Sequence, residues 1–295
     1  MKLKDPQHLE KIKKLYAGIS TVDLMDYPYF KLIYRLFDLC RTEIFEQQKY
    51  GGPFKRVLDV GCGTGYHTLR TAQFCQEIVG LDVSPESIDL ARRQAKELGL
   101  TNVSFVCSDI NHNTFPDQVF DCVIAYGDVI GHIPDYKRTF SEISRITVPG
   151  ALLSFDCDNK WYWGLIRERE ERQRAFAQPS EGHTRTWHFR GQQLDFNTFT
   201  QKELKDLLWQ NHFRLLKTYG FDFFPFMIRA PERFQFSETI GWKERSVMFL
   251  NSVDIALRKF WPINRLGYTK FIFAKKINFS GLRGMVFGGF LMQLL

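Results

Sequence analysis

Three glycines at every second position follow a short apolar run, and they constrain this chain more than any other feature of its sequence. The run 57–60 predicts a buried strand, Gly61, Gly63 and Gly65 predict a tight turn, and residues 66–75 suit a helix. Such an arrangement brings backbone N–H groups and the positive end of a helix against a nucleotide-like ligand. A Cβ atom would block both the turn and the ligand's approach.

The spacing of the glycines limits the classes of ligand that the turn can bind. A dinucleotide fingerprint, Gly-x-Gly-x-x-Gly, would need glycine at position 66, which is Tyr66. The chain instead places Asp59 two residues before the first glycine. A carboxylate beside the turn repels a pyrophosphate and attracts a sulfonium or an α-amino group. The spacing therefore argues against a nicotinamide oxidoreductase.

The segment Asp59-Val60-Gly61-Cys62-Gly63-Thr64-Gly65 closely resembles the first motif of class I S-adenosylmethionine (SAM) dependent methyltransferases of the small-molecule type, types 11 and 25. The resemblance implies SAM as cofactor and S-adenosylhomocysteine (SAH) as product. It also implies an α/β fold with a doubly wound, mostly parallel sheet of seven strands. In that Rossmann-like methyltransferase fold the last strand is inserted antiparallel.

The pattern after the glycine turn agrees with this fold, because short apolar strands alternate with amphipathic helices. Strands are predicted at 57–60, 78–81, 103–107, 120–125, 151–156, 214–221 and 268–275. Helices are predicted at 29–46, 66–75, 84–98, 136–146, 162–177, 200–211 and 237–260. Thr200 and Glu203 predict a capping box at the start of one of these helices.

We expect three parts along the chain. Residues 1–52 form an N-terminal helical cap, residues 53–276 a SAM-binding methyltransferase domain, and residues 277–295 an apolar tail. Two insertions in the domain, 160–200 and 222–266, are expected to form a lid over the acceptor.

Acidic residues at the ends of the next two predicted strands extend the cofactor site. Asp82, followed by Val83, suits the ribose hydroxyls, although nicotinamide enzymes use the same device. The resemblance places Asp109 and Ile110 at the adenine and Tyr126 close to the sulfonium. Taken alone, each Asp reads equally well as a turn or a helix cap. The set predicted to bind the cofactor is Asp59, Gly61, Gly63, Gly65, Asp82, Val83, Asp109, Ile110 and Tyr126. Either Tyr27 or Tyr29 is expected to close over the cofactor or to belong to the core.

Methyl transfer needs alignment more than acid–base chemistry, and a base is required only when the acceptor is protonated. His132, beyond the fourth strand, is the predicted catalytic residue, with a structural or cofactor-supporting role as the alternative. Further candidates are Asp128, Tyr126, His183 and His188.

The insertions are rich in aromatic residues, which suits an apolar, planar or cationic acceptor, or simply a lid core. These residues include Trp161, Tyr162, Trp163, Trp187, Tyr219, Phe221, Phe223, Phe224, Phe226, Phe234, Phe236 and Trp242. We expect a small-molecule acceptor, and an aromatic pocket of this kind favours one that is lipophilic or aromatic. RNA or protein methylation and non-catalytic SAM binding stay as alternatives, although no RNA-binding module or dense basic stripe is visible.

Bulk composition adds mild constraints. The net charge of +7 does not by itself indicate nucleic acid. Six cysteines occur without a Cys-x-x-Cys pair, and those at 107, 122 and 157 lie in strand-like surroundings, which predicts reduced, buried thiols and no metal site in a cytoplasmic protein. No signal peptide or apolar run of spanning length is visible, so no transmembrane segment is expected. The tail 279–295 is predicted to dock on the domain, to contact a partner or to touch a membrane surface.

Overall fold

The computed structural model describes residues 8, 10–14, 26–47, 53–178, 183–189, 192–224 and 239–278. Within these ranges the chain forms a seven-stranded sheet with helices on both faces and a separate two-stranded hairpin. The tail predicted to dock or to touch a membrane lies almost wholly outside the described residues, as do Phe226, Phe234 and Phe236.

The predicted strands and helices follow one another in the expected order. The strands are β1 Phe54–Val60, β2 Cys75–Asp82, β3 Val103–Cys107, β4 Phe120–Ala125, β5 Thr147–Asp158, β6 Thr184–Phe189, β7 Gln192–Asn197, β8 Phe213–Phe221 and β9 Thr269–Lys276. The helices are α1 Pro28–Gln47, α2 Tyr66–Thr71, α3 Pro85–Glu97, α4 Val129–His132, α5 Tyr136–Ile146, α6 Arg169–Ala177, α7 Gln201–Gln210, α8 Trp242–Leu257 and α9 Ile263–Leu266. To the predicted elements the structure adds β6, β7 and two short helices, α4 and α9.

The large sheet has the order β3-β2-β1-β4-β5-β9-β8. Strands β3, β2, β1, β4 and β5 pair parallel, whereas β9 pairs antiparallel with both β5 and β8. The predicted fold class is therefore confirmed, including the antiparallel last strand. The strand order reverses between β1 and β4, and open α/β sheets bind ligands at such a switch point.

Buried apolar side chains cover both faces of the sheet. One cluster packs Leu58, Val123 and Phe155 against Phe140 of α5 and Leu204 of α7. The other packs the opposite face of the sheet against α1 and α8, with Leu36 and Ile255 among its members. Both faces of the central strands are thus removed from water, as parallel sheets require.

Several predicted elements differ in detail. The helix expected over 66–75 ends at Thr71 and continues as a 3-10 turn to Phe74, because β2 already begins at Cys75. The helix expected over 162–177 is a 3-10 turn at Trp163–Ile166 followed by α6. The predictions for α1, α5 and the capping box of α7 are confirmed.

Two further expectations were wrong. The segment 184–197 was taken as a polar stretch without strands, but it forms the hairpin β6–β7 in register from Thr184–Asn197 to Phe189–Gln192. Cys107 is exposed rather than buried, because β3 is the edge strand of the sheet. The cysteines at 122 and 157 are buried free thiols, as expected.

Candidate functional site

The glycine turn joins the end of β1 to α2. Gly61, Gly63 and Gly65 all have positive φ, at +70°, +52° and +91°, a region that favours glycine. The N–H groups of Gly61 and Cys62 both donate to the carbonyl oxygen of Leu81, at 2.7 and 3.0 Å, so the turn is tied to β2. A Cβ at Gly61 would lie 2.5 Å from Val129 Cγ2, whereas a Cβ at Gly63 would meet no atom within 4 Å. Gly61 therefore serves packing, and Gly63 borders open space that a ligand can fill.

Asp59 lies beneath this turn rather than on its surface. Its carboxylate is fully buried and accepts a hydrogen bond from Thr68 Oγ1 of α2 at 2.6 Å. Burial raises the pKa of Asp59 to about 7, the nearby Asp82 raises it further, and the Thr68 hydroxyl opposes the shift. The Asp59 carboxylate therefore holds the glycine turn from below and joins β1 to α2.

Asp82, the last residue of β2, contacts the turn directly. Its carboxylate accepts hydrogen bonds from the N–H groups of Gly63, at 2.8 Å, and Ser84, at 2.9 Å. Burial raises the pKa of Asp82, while the N–H groups of Ser84, Gly63 and Val83 lower it. The carboxylate therefore fixes the turn and lies at the edge of the sheet where the sequence placed a ribose contact.

Asp109 lies at the same edge, after β3. It caps a short 3-10 turn by accepting the N–H of Asn111 at 2.9 Å, and His112 Nδ1 lies 3.0 Å from its other oxygen. The N–H of Ser108 donates to the carbonyl of Asp82 at 2.9 Å, which links the two strand ends. Ile110 is buried in the core beside this turn. The structure thus brings the three predicted carboxylates, at 59, 82 and 109, to one edge of the sheet.

The loop after β4 completes the switch point. Gly127 has a φ of +98°, and a Cβ there would meet no atom within 4 Å. The N–H groups of Gly127 and Asp128 donate to the Asp156 carboxylate at 2.7 and 3.0 Å. The side chain of Tyr126, by contrast, lies in the core with its hydroxyl 2.8 Å from Ser154 Oγ. Any contact that residue 126 makes with a cofactor is therefore through its backbone.

Asp128 adopts left-handed backbone geometry, with a φ of +55°, which is uncommon for a residue other than glycine. Its Oδ1 is buried and has no hydrogen-bond partner among the described residues. Burial, together with the charges of Asp158 and Asp156, raises the pKa of the Asp128 carboxyl well above its ordinary value. Backbone strain and an unsatisfied carboxylate at a ligand-binding edge are features of functional sites.

A buried arginine from the hairpin reaches the same region. Arg185 Nη2 lies 3.0 Å from the carbonyl oxygen of Asn159, directly after β5. Its guanidinium lies 4.3 Å from the ring centre of Tyr162 and 5.1 Å from that of Tyr268. Burial raises the pKa of Asp158 to about 6, and the charge of Arg185 opposes that shift. The hairpin is therefore anchored at the end of β5 by charge and cation–π contacts.

Sequence reasoning missed Asp156, Asp158 and Arg185. The alternation Asp156-Cys157-Asp158 within an apolar strand was a usable signal, because carboxylates are rarely buried without a partner. Arg185 offered no such signal, since its partners are distant in sequence and the hairpin was not predicted.

The histidine candidates fall in different surroundings. His132 ends α4, and its ring centre lies 5.8 Å from that of Phe196 in β7. Burial and the nearby His8 lower the pKa of His132 to about 4. His183 is fully buried beside Thr198 at the base of the hairpin, and burial lowers its pKa to about 4. The side chain of His188 lies outside the described residues.

The N-terminal helix packs on the start of the site. Tyr34 of α1 lies 4.1 Å, ring centre to ring centre, from Tyr66, the first residue of α2. Arg41 Nη1 lies 3.5 Å from His67 Nδ1, and both side chains are buried. Tyr29, one of the two residues expected near the cofactor, packs edge-on against Phe30 at 5.8 Å. The structure thus brings α1 to the glycine turn through Tyr34 and Arg41.

The aromatic residues of the insertions divide into two groups. Tyr219, Phe221 and Phe223 are buried in the fold, and Trp163 stacks on Phe223 at 5.6 Å, which joins the two insertions. Trp242 instead points into solvent. The rings near the sheet therefore build the core, those farther along the second insertion are exposed, and the two insertions contact each other.

Comparisons with known proteins agree with this geometry. Residues 57–150 match the family profile described as "Methyltransferase domain". The chain is 34% identical over 106 residues to a ubiquinone biosynthesis O-methyltransferase of Coxiella burnetii, and 36% identical over 118 residues to a demethylmenaquinone methyltransferase of Thermus thermophilus. These matches cover 36% and 38% of this chain and 44% and 52% of the relatives, so the chain spans about half the length of the curated relatives it matches.

A solved structure agrees in fold. A SAM-dependent methyltransferase from Clostridium acetobutylicum superposes with a TM-score of 0.53 over 87% of this chain and 93% of its own, at 12% identity. The sheet order and the glycine turn define a class I SAM-dependent methyltransferase fold. Within that fold, residues 57–150 carry the match to the methyltransferase-domain profile, and the structural neighbour is itself described as SAM-dependent.

Among the described residues, no helix has the length and apolar character that a membrane crossing requires.

Proposed function

We propose that this protein transfers a methyl group from SAM to a small-molecule acceptor that is lipophilic or aromatic. The observation that carries the proposal is the meeting of the glycine turn, Asp82 and Gly127 at the switch point between β1 and β4. Ligands bind at this point in open α/β sheets, outside the carboxyl ends of the strands.

The residues present suit SAM. Open space beside Gly63 and Gly127 allows close approach of a ligand to the backbone on both sides of the switch point. Carboxyl groups lie on both sides of this region, those of Asp59 and Asp82 at the glycine turn and those of Asp128 and Asp156 at the loop after β4. Burial raises the pKa of each, and a ligand that carries a sulfonium and an ammonium group would favour their ionised form. We assign the cofactor to Asp59, Gly61, Gly63, Gly65, Asp82, Val83, Asp109, Ile110 and the backbone of Tyr126.

Charged groups near the site also favour some classes of acceptor over others. Asp128, Asp156 and Asp158 lie together at the ends of β4 and β5, with Arg185 as the nearby cation. A nucleic-acid backbone brings phosphates, which such a cluster repels. A small neutral or cationic acceptor meets no such cost. The two curated relatives are named for quinone biosynthesis, and the Trp163–Phe223 stack joins apolar insertions beside the site, which supports a lipophilic acceptor.

When bound, SAM supplies a methyl group activated by its sulfonium. The chain's own contribution is to hold the donor and acceptor in line and to exclude water, and such positioning is worth roughly 7–11 kcal/mol. We place the hairpin β6–β7 and the second insertion over the acceptor, with Arg185 holding the hairpin against β5.

A protonated acceptor also needs a group that accepts its proton. Two side chains compete for this role. His132 was selected from the sequence, and a pKa of about 4 leaves it neutral at pH 7 but weakly basic. Asp128 lies next to Gly127 at the switch point, and its buried Oδ1 has no hydrogen-bond partner among the described residues, so that oxygen is open to a proton. We therefore propose Asp128 as the first candidate and retain His132 as the second.

The donor half of the proposal is tested by calorimetry with SAH and, separately, with NADH. Binding of SAH but not NADH is expected. The acceptor half is tested by incubation of the protein with methyl-labelled SAM and separate lipid, aqueous metabolite, RNA and protein fractions of a cell extract. Label in the lipid fraction is expected. Label confined to RNA or protein contradicts the small-molecule proposal, and SAH binding without label in any fraction indicates a SAM-binding protein that does not methylate.

A further inference from the structure

Exposed large apolar side chains are concentrated in one short part of the described chain. Eleven large apolar residues are exposed among the described residues, and five of them lie between positions 242 and 261. They are Trp242, Phe249, Leu257, Phe260 and Trp261. Trp242 is 73% exposed, Phe249 68% and Trp261 77%. Scattered single apolar residues are normal on a protein surface, but a concentration of this kind marks an interaction site.

Helix α8 is apolar on two opposite faces. Its inner face, with Val247 and Ile255, is buried against the fold, and Ile255 belongs to the core cluster that includes α1. Trp242 and Phe249 are seven residues apart, so they lie on one side of the helix about 10 Å apart along its axis. Counted around the helix, that side is opposite to the buried one. A helix with apolar residues on all sides is normally buried on all sides. The side of α8 that carries Trp242 and Phe249 is exposed instead.

Basic side chains flank the exposed rings. Arg245 lies on the same side as Trp242 and Phe249 by helical spacing, and Lys243 Nζ is 5.7 Å from the centre of the Trp242 ring. The segment 239–265 contains five Lys and Arg residues and two acidic residues. They are Lys243, Arg245, Arg258, Lys259 and Arg265 against Glu244 and Asp254. Asp254 is fully buried, where it accepts the N–H of Phe223 at 2.7 Å. Arg258 and Lys259 also face Glu43 of α1, at 3.9 and 3.4 Å, which offsets part of their charge. The solvent side beside Trp242 and Phe249 is aromatic, and Lys243 and Arg245 make it positively charged.

We propose that the aromatic–basic face of α8, formed by Trp242 and Phe249 with Lys243 and Arg245, binds an anionic phospholipid surface. Tryptophan and phenylalanine rings insert at the level of the lipid headgroups without a shaped pocket, and lysine and arginine beside them pair with anionic lipid. The rings of α8 project from a convex helix, which suits such a surface better than a groove-shaped partner.

Charge argues against a second copy of the chain as the occupant. A symmetric contact through this face would bring two sets of basic residues together. It would gain ring packing but would also place like charges opposite each other, which costs free energy at an interface. An anionic bilayer satisfies both the rings and the charges. The binding does not depend on methyl transfer, and it would place the chain where a lipophilic acceptor dissolves.

The proposal is tested by co-sedimentation of the full chain with two kinds of vesicle, one of phosphatidylcholine alone and one with phosphatidylglycerol added. Binding to the anionic vesicles is expected, with a blue shift of tryptophan fluorescence and a loss of binding at high salt. The double variant Trp242→Ala/Phe249→Ala is expected to bind at least tenfold more weakly. The matched control is Phe176→Ala/Trp209→Ala, which removes two equally exposed rings, 72% and 58%, from α6 and α7.

Unchanged SAH affinity and melting temperature in both double variants show that the fold is retained, and they separate this result from the donor-binding test. The proposal is overturned when the anionic vesicles do not sediment the parent chain, or when the control variant loses as much binding as the α8 variant. It is also overturned when the parent is a stable dimer that the α8 variant dissociates, because the face is then an interface between copies of the chain.

Discussion

The Asp82 carboxylate accepts a hydrogen bond from the backbone N–H of Gly63 at 2.8 Å, so the end of β2 holds the turn that follows β1. Its second oxygen accepts the N–H of Ser84, at the start of α3. One side chain thus sets the shape of the glycine turn and the start of the next helix. Because these two segments border the switch point, a change at Asp82 should alter ligand binding through geometry as well as through direct contact.

Replacement of Asp82 by alanine is expected to weaken SAH binding by at least roughly tenfold. Hydrogen bonds to charged groups are worth about 1.5–3 kcal/mol each, and the variant loses the proposed ribose contacts and the bond that shapes the turn. Titration calorimetry measures the effect. The control is Asp89→Ala, on the exposed side of α3, where the Asp89 carboxylate pairs with Arg92. This variant should bind SAH with the affinity of the parent. Near-parental affinity of the Asp82 variant would mean that the ribose contact is misplaced.

Two glycines of the turn should respond differently to alanine. Gly61→Ala places a Cβ 2.5 Å from Val129 Cγ2 at a positive φ, so it should lower the melting temperature strongly. Gly63→Ala meets no atom within 4 Å, so it should cost only the left-handed backbone penalty of about 1–2 kcal/mol. Its main effect should be on SAH affinity, because the new methyl group occupies the proposed ligand space. Equal losses of stability in the two variants would contradict this division.

The strands of the sheet could be predicted from the sequence because each central strand is a short apolar run followed by a turn or cap, and the family resemblance supplied their mostly parallel arrangement. The cofactor carboxylates at 59, 82 and 109 could also be placed, since each directly follows or ends such a run. The side chain of Tyr126 could not, because its direction depends on Ser154 and Phe37, which lie on other elements.

The hairpin β6–β7 shows where sequence patterns stop being informative. Among the described residues its strands pair only with each other, and the apolar alternation of β7 is limited to Leu194 and Phe196, too short to mark a strand by itself. The contacts that hold it, from Arg185 to the end of β5, join residues about 26 positions apart. Contacts of this kind are set by the tertiary fold and not by local propensity.

Stability should fall as the pH rises from 6.5 to 8.5. Burial raises the pKa of Asp59, Asp156 and Asp254 to about 7 each and that of Asp222 to about 8. In the unfolded chain these groups titrate near pH 4, so the folded state binds more protons between pH 4 and 8 and loses stability as the pH rises through the folded values. Burial lowers the pKa of His132 and His183 to about 4, below the value of about 6.5 in the unfolded chain. These two histidines therefore make the fold more stable as the pH rises, but only below about pH 6.5.

Urea unfolding at pH 6.5 and pH 8.5 measures this loss. Asp156→Asn should reduce it by roughly 1 kcal/mol, because one group with a pKa near 7 then no longer titrates. Asp206→Asn removes an exposed carboxylate that pairs with Lys202 and serves as the control, with a loss equal to that of the parent. A parent chain that is equally stable at both pH values would show that these carboxyls are not protonated in the fold.

Arg185 and Asp158 should be energetically coupled, because the guanidinium is the charge that opposes the raised pKa of the buried Asp158. Arg185→Ala leaves Asp158 beside Asp128 without a cation, and breaking a buried pair typically costs about 3–5 kcal/mol. The double variant Arg185→Ala/Asp158→Asn should lose less than the sum of the single variants in urea unfolding. Asp206→Ala, which removes an exposed ion pair with Lys202 away from the hairpin, should cost less than about 1 kcal/mol. Limited proteolysis should cleave the β6–β7 hairpin faster in the Arg185 variant while SAH affinity stays unchanged, since the glycine turn does not contact the hairpin's anchor. Additive losses in the cycle would mean that the hairpin is held by the Tyr162 and Tyr268 rings and not by charge.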